Sequence, residues 1–289
     1  RLSIIDLNIR SKQQMEYEDN YIITFNGEIY NYDILKEKLN NYSFKTDSDT
    51  EVILAMYKKY GKKCVNFLDG MFSFAIWDKK QKELFCARDR LGIKPFYYFY
   101  EYNNFYFASE IKALLPYVSK VQEDLEGISE YLIFQYPISE NTMFKNIKQL
   151  MPGCYLTFSF DNKINIEKYW ELDYTNKLND SNEKITKNIR DLFDKSIKLH
   201  LKSDVPVGSY ISGGIDSGLI SILSKKENKL DSSYHGRFTD YEGFDESKYA
   251  EIISNKIDIS LNIMDISCED FEKNIKNIIY YLDHPIVGP

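Results

Sequence analysis

Apolar positions in the first 172 residues fall in short runs that read as strands. Tyr21-Ile22-Ile23-Thr24-Phe25 and Met71-Phe72-Ser73-Phe74-Ala75-Ile76-Trp77 are apolar enough for strands in the middle of a sheet. Residues 84–88, 96–100 and 105–108 follow, separated by the turn segments Asp89-Arg90-Leu91-Gly92 and Tyr102-Asn103-Asn104. Two helical patterns interrupt them, at 32–39 and 48–60, the second with Val52, Ile53, Met56 and Tyr57 on one face. This order predicts an α+β domain of antiparallel sheet with helices on its faces.

The grammar changes after a polar, weakly periodic segment at 173–182, which reads as a linker. Ile185, Ile189, Leu192, Phe193 and Ile197 make an amphipathic helix, with Asp180 and Glu183 spaced as a capping box. A buried strand at 207–211, a Gly-rich loop, a helix and a short strand at 232–236 come next. A helix opened by Asp245 and a strand at 261–264 follow. The last helix, capped by Ser267 and Asp270, should turn Phe271, Ile275, Ile278, Ile279 and Leu282 inward. Alternating strands and helices predict a doubly wound α/β parallel sheet, whose ligands bind at the carboxyl ends of its strands.

Composition narrows the classes. At 289 residues and 43% hydrophobic content the chain can bury a sizeable core and holds two domains. A net charge of −7 and a pI near 5.2 give no basic footprint for nucleic acid. The 24 Tyr and 18 Phe lie mostly in strand patterns, where sheet packing accounts for them better than base stacking. Cys64, Cys86, Cys154 and Cys268 are too far apart for a paired metal motif and suit free thiols in a reducing compartment. No apolar run reaches the roughly 18 residues of a membrane helix and no signal peptide is visible, so the expected location is cytoplasmic.

The most informative stretch is Ser212-Gly213-Gly214-Ile215-Asp216-Ser217, between strand and helix. Glycines let backbone approach a ligand closely, and a helix N-terminus favours phosphate. Asp216 inside that cradle would repel phosphate unless a divalent cation lay between, which implies Mg²⁺. The P-loop pattern is absent, since no Lys follows the glycines. The stretch resembles the pyrophosphate loop of ATP pyrophosphatases, which release pyrophosphate from ATP.

In the first half, Asn26-Gly27-Glu28 ends a central strand. Asn26 and the Gly27 N–H could together form an oxyanion hole, and the same pair also suits a two-residue hairpin turn. Glu28 and Asp49 could hold an ammonium, although an Asp at position 49 also suits a helix N-cap. Arg1 offers a fork for a carboxylate.

Several segments together carry a resemblance. They are Arg1–Asp6, Asn26–Asn31, Ser48-Asp49-Thr50-Glu51-Val52, Asp69–Ala75, Arg88–Pro95, Ser109–Leu114, Leu150–Gly153 and Ser203-Asp204-Val205-Pro206 leading into the loop. In order, and over nearly the whole chain, these resemble glutamine-hydrolysing asparagine synthetases. Gly236-Arg237-Phe238, Asp245–Ala250 and Asp283–Pro289 resemble a bacterial branch found with surface-polysaccharide genes.

The resemblance implies a class II glutamine amidotransferase domain of the N-terminal-nucleophile type at 1–172 and a linker at 173–182. The amino-terminal part of an ATP-pyrophosphatase domain would occupy 183–289. Arg1 would bind the glutamine carboxylate, Glu28 and Asp49 its amino group, and Asn26 with Gly27 would form the oxyanion hole. Ile211, Ser212, Gly213, Gly214, Asp216, Ser217 and Gly236 would hold ATP and its pyrophosphate, with Mg²⁺ on Asp216. Aspartate would be activated as β-aspartyl-AMP and attacked by ammonia. Partners would be glutamine, aspartate and ATP, with no nucleic acid or membrane and a homodimer left open.

The family's nucleophile is an N-terminal Cys, and none of the four cysteines stands there. Both ends are expected to be cuts through a longer protein, with the nucleophile before Arg1 and further synthetase residues after Pro289. Alternatives are a homologue amidating or cyclising another carboxylate, as β-lactam synthetases do, and a non-catalytic nucleotide-binding module. His200, His235 and His284 are scattered and read as packed or solvated residues.

Overall fold

A computed structural model describes residues 4–39, 42–240 and 242–285. The chain divides into two compact units, one of Arg1–Asp173 with Ile278–Pro289, the other of Tyr174–Asn277.

In the first unit the order is β1 (Met15–Tyr17), β2 (Tyr21–Ile29), α1 (Tyr32–Glu37), α2 (Asp49–Tyr60), β3 (Gly70–Asp78) and β4 (Glu83–Arg88). Then come β5 (Tyr97–Glu101), β6 (Asn104–Ala108), α3 (Leu125–Phe134), β7 (Lys148–Gln149), β8 (Cys154–Ser159) and β9 (Ile164–Lys168). A six-stranded antiparallel sheet has the order β1-β2-β3-β4-β8-β9, and a three-stranded one the order β6-β5-β7. β3 reads as continuously apolar because both its faces are covered. Phe72, Phe74 and Ile76 join the core under α2, while Ala75 joins a second cluster with Phe96, Tyr98 and Leu156. The expected stripe on α2 is too narrow: Leu54 and Ala55 are buried as well, so this helix is enclosed on all sides from Asp49 to Tyr57. Aromatic rings knit the layers, with Tyr57 stacked on Phe85 at 5.2 Å and Phe96 on Phe107 at 5.5 Å.

The turn after β4 is organised by one buried side chain. Asp89 accepts N–H bonds from Phe72 (3.1 Å), Leu91 (3.1 Å), Ile93 (2.9 Å) and Lys94 (2.9 Å). Its neighbour Arg88 donates to the carbonyls of Lys94, Gly92 and Leu150. Charged groups this deep persist only when their hydrogen-bonding capacity is filled.

The second unit holds α4 (Asn182–His200), β10 (Gly208–Tyr210), α5 (Ile215–Lys226), β11 (Ser232–Phe238), α6 (Ser247–Lys256) and β12 (Leu261–Ile266), and most of α7 (Cys268–Leu282). Its three strands are parallel in the order β10-β11-β12. They run in sequence order, so the reversal that a doubly wound sheet requires does not occur within them. Gly218 in α5 lets Ile253 of α6 approach, since a Cβ there would sit 2.7 Å from its Cδ1.

Several local expectations need correction. Ser181, not Asp180, caps α4, accepting from Lys184 N–H, while Asp180 pairs with the Lys184 ammonium. The strand at 207–211 shortens to Gly208–Tyr210 and is not buried: Tyr210 is 83% exposed on an edge that pairs with β11 alone. On α4 only Ile197 is buried, and Phe271, Ile278 and Leu282 of α7 are exposed, although the Ser267–Asp270 capping box forms as expected. Among the described residues, no helix is long and apolar enough to cross a membrane.

Asp89→Ala strands four backbone N–H groups in the interior and should cost at least about 3 kcal/mol. A denaturant titration checks this, and a midpoint equal to wild type refutes the organising role of Asp89.

Candidate functional site

A cavity of about 440 Å³ in the first unit gathers the predicted residues of that half. Asn26, Gly27 and Glu28 line it from β2, Asp49 and Thr50 from the start of α2, and Ser109 and Glu110 from the segment after β6. Arg1 lies outside the described residues.

The strand does not end at Asn26, and no hairpin turn forms there. β2 continues to Ile29, with Asn26 opposite Ser73 and Gly27 opposite Phe72. The hairpin signal loses to pairing with a strand more than forty residues downstream. Gly27 has φ +149°, and a Cβ there would lie 2.1 Å from the Met71 carbonyl, so only glycine fits between β2 and β3. Asn26 is exposed, and its amide makes no hydrogen bond to described residues.

Asp49 is not the N-cap of α2. Ser48 fills that position, its hydroxyl accepting from Thr50 N–H at 3.2 Å. Asp49 instead accepts from Ile29 N–H at 3.0 Å, which fastens the start of α2 to the end of β2. Glu28 is 4% exposed, and its Oε1 finds no partner among described residues. Burial first, and then repulsion from Asp49, push its carboxyl up to about 7 from 4.5, against a lowering by Lys94. Two buried carboxylates lining one cavity can together attract a cation.

Three lining residues were given no role by the sequence. Gln13 bridges the two elements, its amide oxygen accepting from Phe25 N–H at 3.0 Å and its nitrogen donating to Thr50 Oγ1 at 3.2 Å. Ser109 and Glu110 belong to a motif whose place at the cavity only the fold reveals.

The four cysteines are free thiols, and none of them lines this cavity. Cys64, Cys86 and Cys154 are buried, and burial holds the thiols of Cys64 and Cys86 well above their usual range, which leaves them unreactive.

In the second unit, β10 leads through buried Ile211 into the Gly-rich loop and α5. The Ser212 and Ser217 hydroxyls lie 2.9 Å apart, and Ser217 Oγ accepts from Ser212 N–H at 3.1 Å, closing the loop on itself. Gly213 has φ +96°, where a Cβ would meet the Glu246 carbonyl at 2.9 Å. Gly214 occupies the N-cap of α5 without a side-chain cap, so no side chain competes for the first N–H groups of the helix. Exposed Asp216 stands in that first turn. Ile211 N–H donates to Tyr234 O, which places Gly236, two residues further along β11, beside the loop. His235, set aside by the sequence reading, is buried under the loop, with Nδ1–H donating to Ile211 O at 2.7 Å.

A single carboxylate beside uncapped N–H groups fits Mg²⁺ bound chiefly through phosphate oxygens. No cluster of three or more His, Cys, Asp or Glu able to hold a metal occurs among the described residues, so phosphate would supply most of the ligands.

Comparison with known proteins bears on both units. A family model described as a glutamine amidotransferase domain matches residues 1–170, and one described as asparagine synthase matches 188–289. The chain is 37% identical over 292 residues to asparagine synthetase [glutamine-hydrolyzing] 1 of Bacillus subtilis, covering 100% of this chain and 46% of that protein. It is 36% identical over 306 residues to putative asparagine synthetase [glutamine-hydrolyzing] 2 of Methanocaldococcus jannaschii, covering 99% and 59%. It is 30% identical over 305 residues to amidase chyE of Penicillium rubens, covering 99% and 45%. The chain thus spans about half the length of these relatives. It belongs to the glutamine-hydrolysing asparagine synthetase family, a glutamine amidotransferase domain followed by an asparagine synthase region.

Proposed function

We propose that this chain supplies the glutamine-binding site and the nucleotide loop of an ATP-dependent asparagine synthetase. The observation that carries the reading is the cavity in which buried Glu28 and Asp49 share walls with Asn26 and Gly27. Glutamine presents an ammonium, a carboxylate and a side-chain amide. Glu28 and Asp49 would take the ammonium and Arg1 the carboxylate. Asn26 with the Gly27 amide would stabilise the oxyanion that forms as the side-chain amide is attacked. The nucleophile is a residue other than the four cysteines described, and by family resemblance an N-terminal Cys.

At the second site the Ser212–Ser217 loop and Gly236 would hold ATP. Mg²⁺ on Asp216 would offset charge on the departing pyrophosphate. Aspartate would form β-aspartyl-AMP, and ammonia would displace AMP to give asparagine. A second reading keeps this chemistry with another acceptor carboxylate, since one relative carries a name other than asparagine synthetase. Replacing aspartate with other carboxylic acids in a pyrophosphate-release assay separates the two.

Asp49→Asn removes a charge that pairs the substrate ammonium and should cost about 1.5–3 kcal/mol, a roughly 10- to 100-fold rise in KM for glutamine. Unchanged glutamine kinetics in the full chain would reduce Asp49 to its Ile29 contact.

Glu28 gives a pH test. Its folded-state pKa, about 7, lies above the unfolded 4.5, so the folded protein keeps its proton where the unfolded chain has lost it. Its contribution to stability is therefore complete below pH 4.5 and falls away as pH rises towards about 7. Melting temperature against pH should decline through this window in wild type and flatten there in Glu28→Gln. Identical profiles for the two proteins rule out a strained Glu28.

Asp216→Asn should abolish aspartate-dependent pyrophosphate release with ammonia as nitrogen donor. Glutaminase activity and melting temperature report whether the variant is folded. Retained pyrophosphate formation, or unfolding well below wild type, makes Asp216 a structural residue.

A further inference from the structure

We propose that Asp283 is a positioning residue for the glutamine cavity, an inference that rests on the glutamine reading above. Ser109 and Glu110 form one wall of the cavity, yet both are exposed and neither is fixed by core packing. They lie between the end of β6 and a short 3-10 turn at Ile111–Ala113. That turn begins with Glu110 at its N-cap, and the Glu110 side chain makes no capping bond. The N–H groups at the start of a helical turn need acceptors. Here they find them 172 and 171 residues along the chain: Asp283 Oδ2 accepts from Ile111 N–H at 2.7 Å and Oδ1 from Lys112 N–H at 3.1 Å.

The same carboxylate fixes the wall a second time through Lys112. Its ammonium lies 3.1 Å from Asp283 Oδ1 and 2.8 Å from Glu110 Oε2, and it also donates to Tyr281 O at 3.2 Å. The Asp283 side chain is only 7% exposed, so this ion pair is poorly screened and shared bonds hold it in place. Asp283 stands at φ +66°, directly after α7, a conformation that Asp tolerates better than most residues and that turns the chain out of the helix. Ile111 and Leu114 are sunk in the core, so the turn is anchored below while Asp283 sets the orientation of its first residues. Removing that carboxylate leaves Ser109 and Glu110 attached to the core but free to swing, and Glu110 carries a charge into a cavity already holding Glu28 and Asp49. Asp283 touches no substrate. It acts on glutamine affinity through the wall it orients.

The test uses the full chain and compares wild type with Asp283→Ala and Asp283→Asn, reading glutamine kcat and KM, ammonia-dependent synthesis and melting temperature. Both variants should raise KM for glutamine by about three- to tenfold, the scale of losing hydrogen bonds, with a much smaller change in kcat. Asn should be the milder, because its amide oxygen still accepts one N–H. Unchanged KM in both variants overturns the proposal. So does a uniform loss of activity with a lowered melting temperature or failure of both to fold, which marks a structural role. Loss confined to ammonia-dependent synthesis also overturns it and places Asp283 in the other reaction. A wild-type protein that turns over no glutamine defeats the functional reading itself, an outcome distinct from turnover that ignores Asp283.

Discussion

Burying carboxylates at the end of an aromatic core is unfavourable, and the first unit is built around tolerating it at two positions. Glu28 points into the cavity with one oxygen unpaired among the described residues, while Asp49 is steadied by the Ile29 N–H. Neither could persist without rigid surroundings, because a loose core would admit water and relieve the strain. The rigidity comes from β3, covered on both faces, and from the close passage of β2 and β3 at Gly27. Hydration withheld from these carboxylates strengthens their attraction for any cation that enters, so the same burial that weakens the empty fold would tighten its hold on a positive charge.

Much of this was legible in the sequence, and the failures share one cause. Continuous apolar runs reported β2 and β3, and in β3 burial on both faces leaves no room for alternation. The Gly-rich loop and its helix were legible because a tight strand-to-helix turn depends on local backbone geometry. What escaped were features set by partners far along the chain. The Asn26-Gly27 pair carries a hairpin signal that is locally sound, yet pairing with β3 overrides it. Ser48 and Asp49 differ little as capping candidates, and only the approach of Ile29 N–H decides which side chain turns away. On α7 the periodicity was real, but most of its apolar stripe faces outward among the described residues.

The two candidate sites solve opposite electrostatic problems. The cavity in the first unit concentrates negative charge from side chains and needs a cationic group to enter. The loop in the second unit offers helix N–H groups and two hydroxyls to a polyanion, with one exposed carboxylate beside them. The first therefore relies on burial and the second on backbone. Substitution at a side chain should read out sharply in the one, whereas in the other the glycines matter as much as Asp216.

The first unit is discontinuous in sequence, since it takes in Ile278–Pro289 as well as the residues up to Asp173. That has a consequence for how the protein is made. A ribosome adding about 5–20 residues per second releases Asp283 several seconds after the strands are complete. During that interval the sheets can assemble, while the 3-10 turn at Ile111–Ala113 still lacks its acceptor. That wall of the cavity is thus the last part of its unit to set, and its completion waits until most of the second unit has been translated. Cutting the gene at residue 173 would separate a cavity from the residue that finishes it.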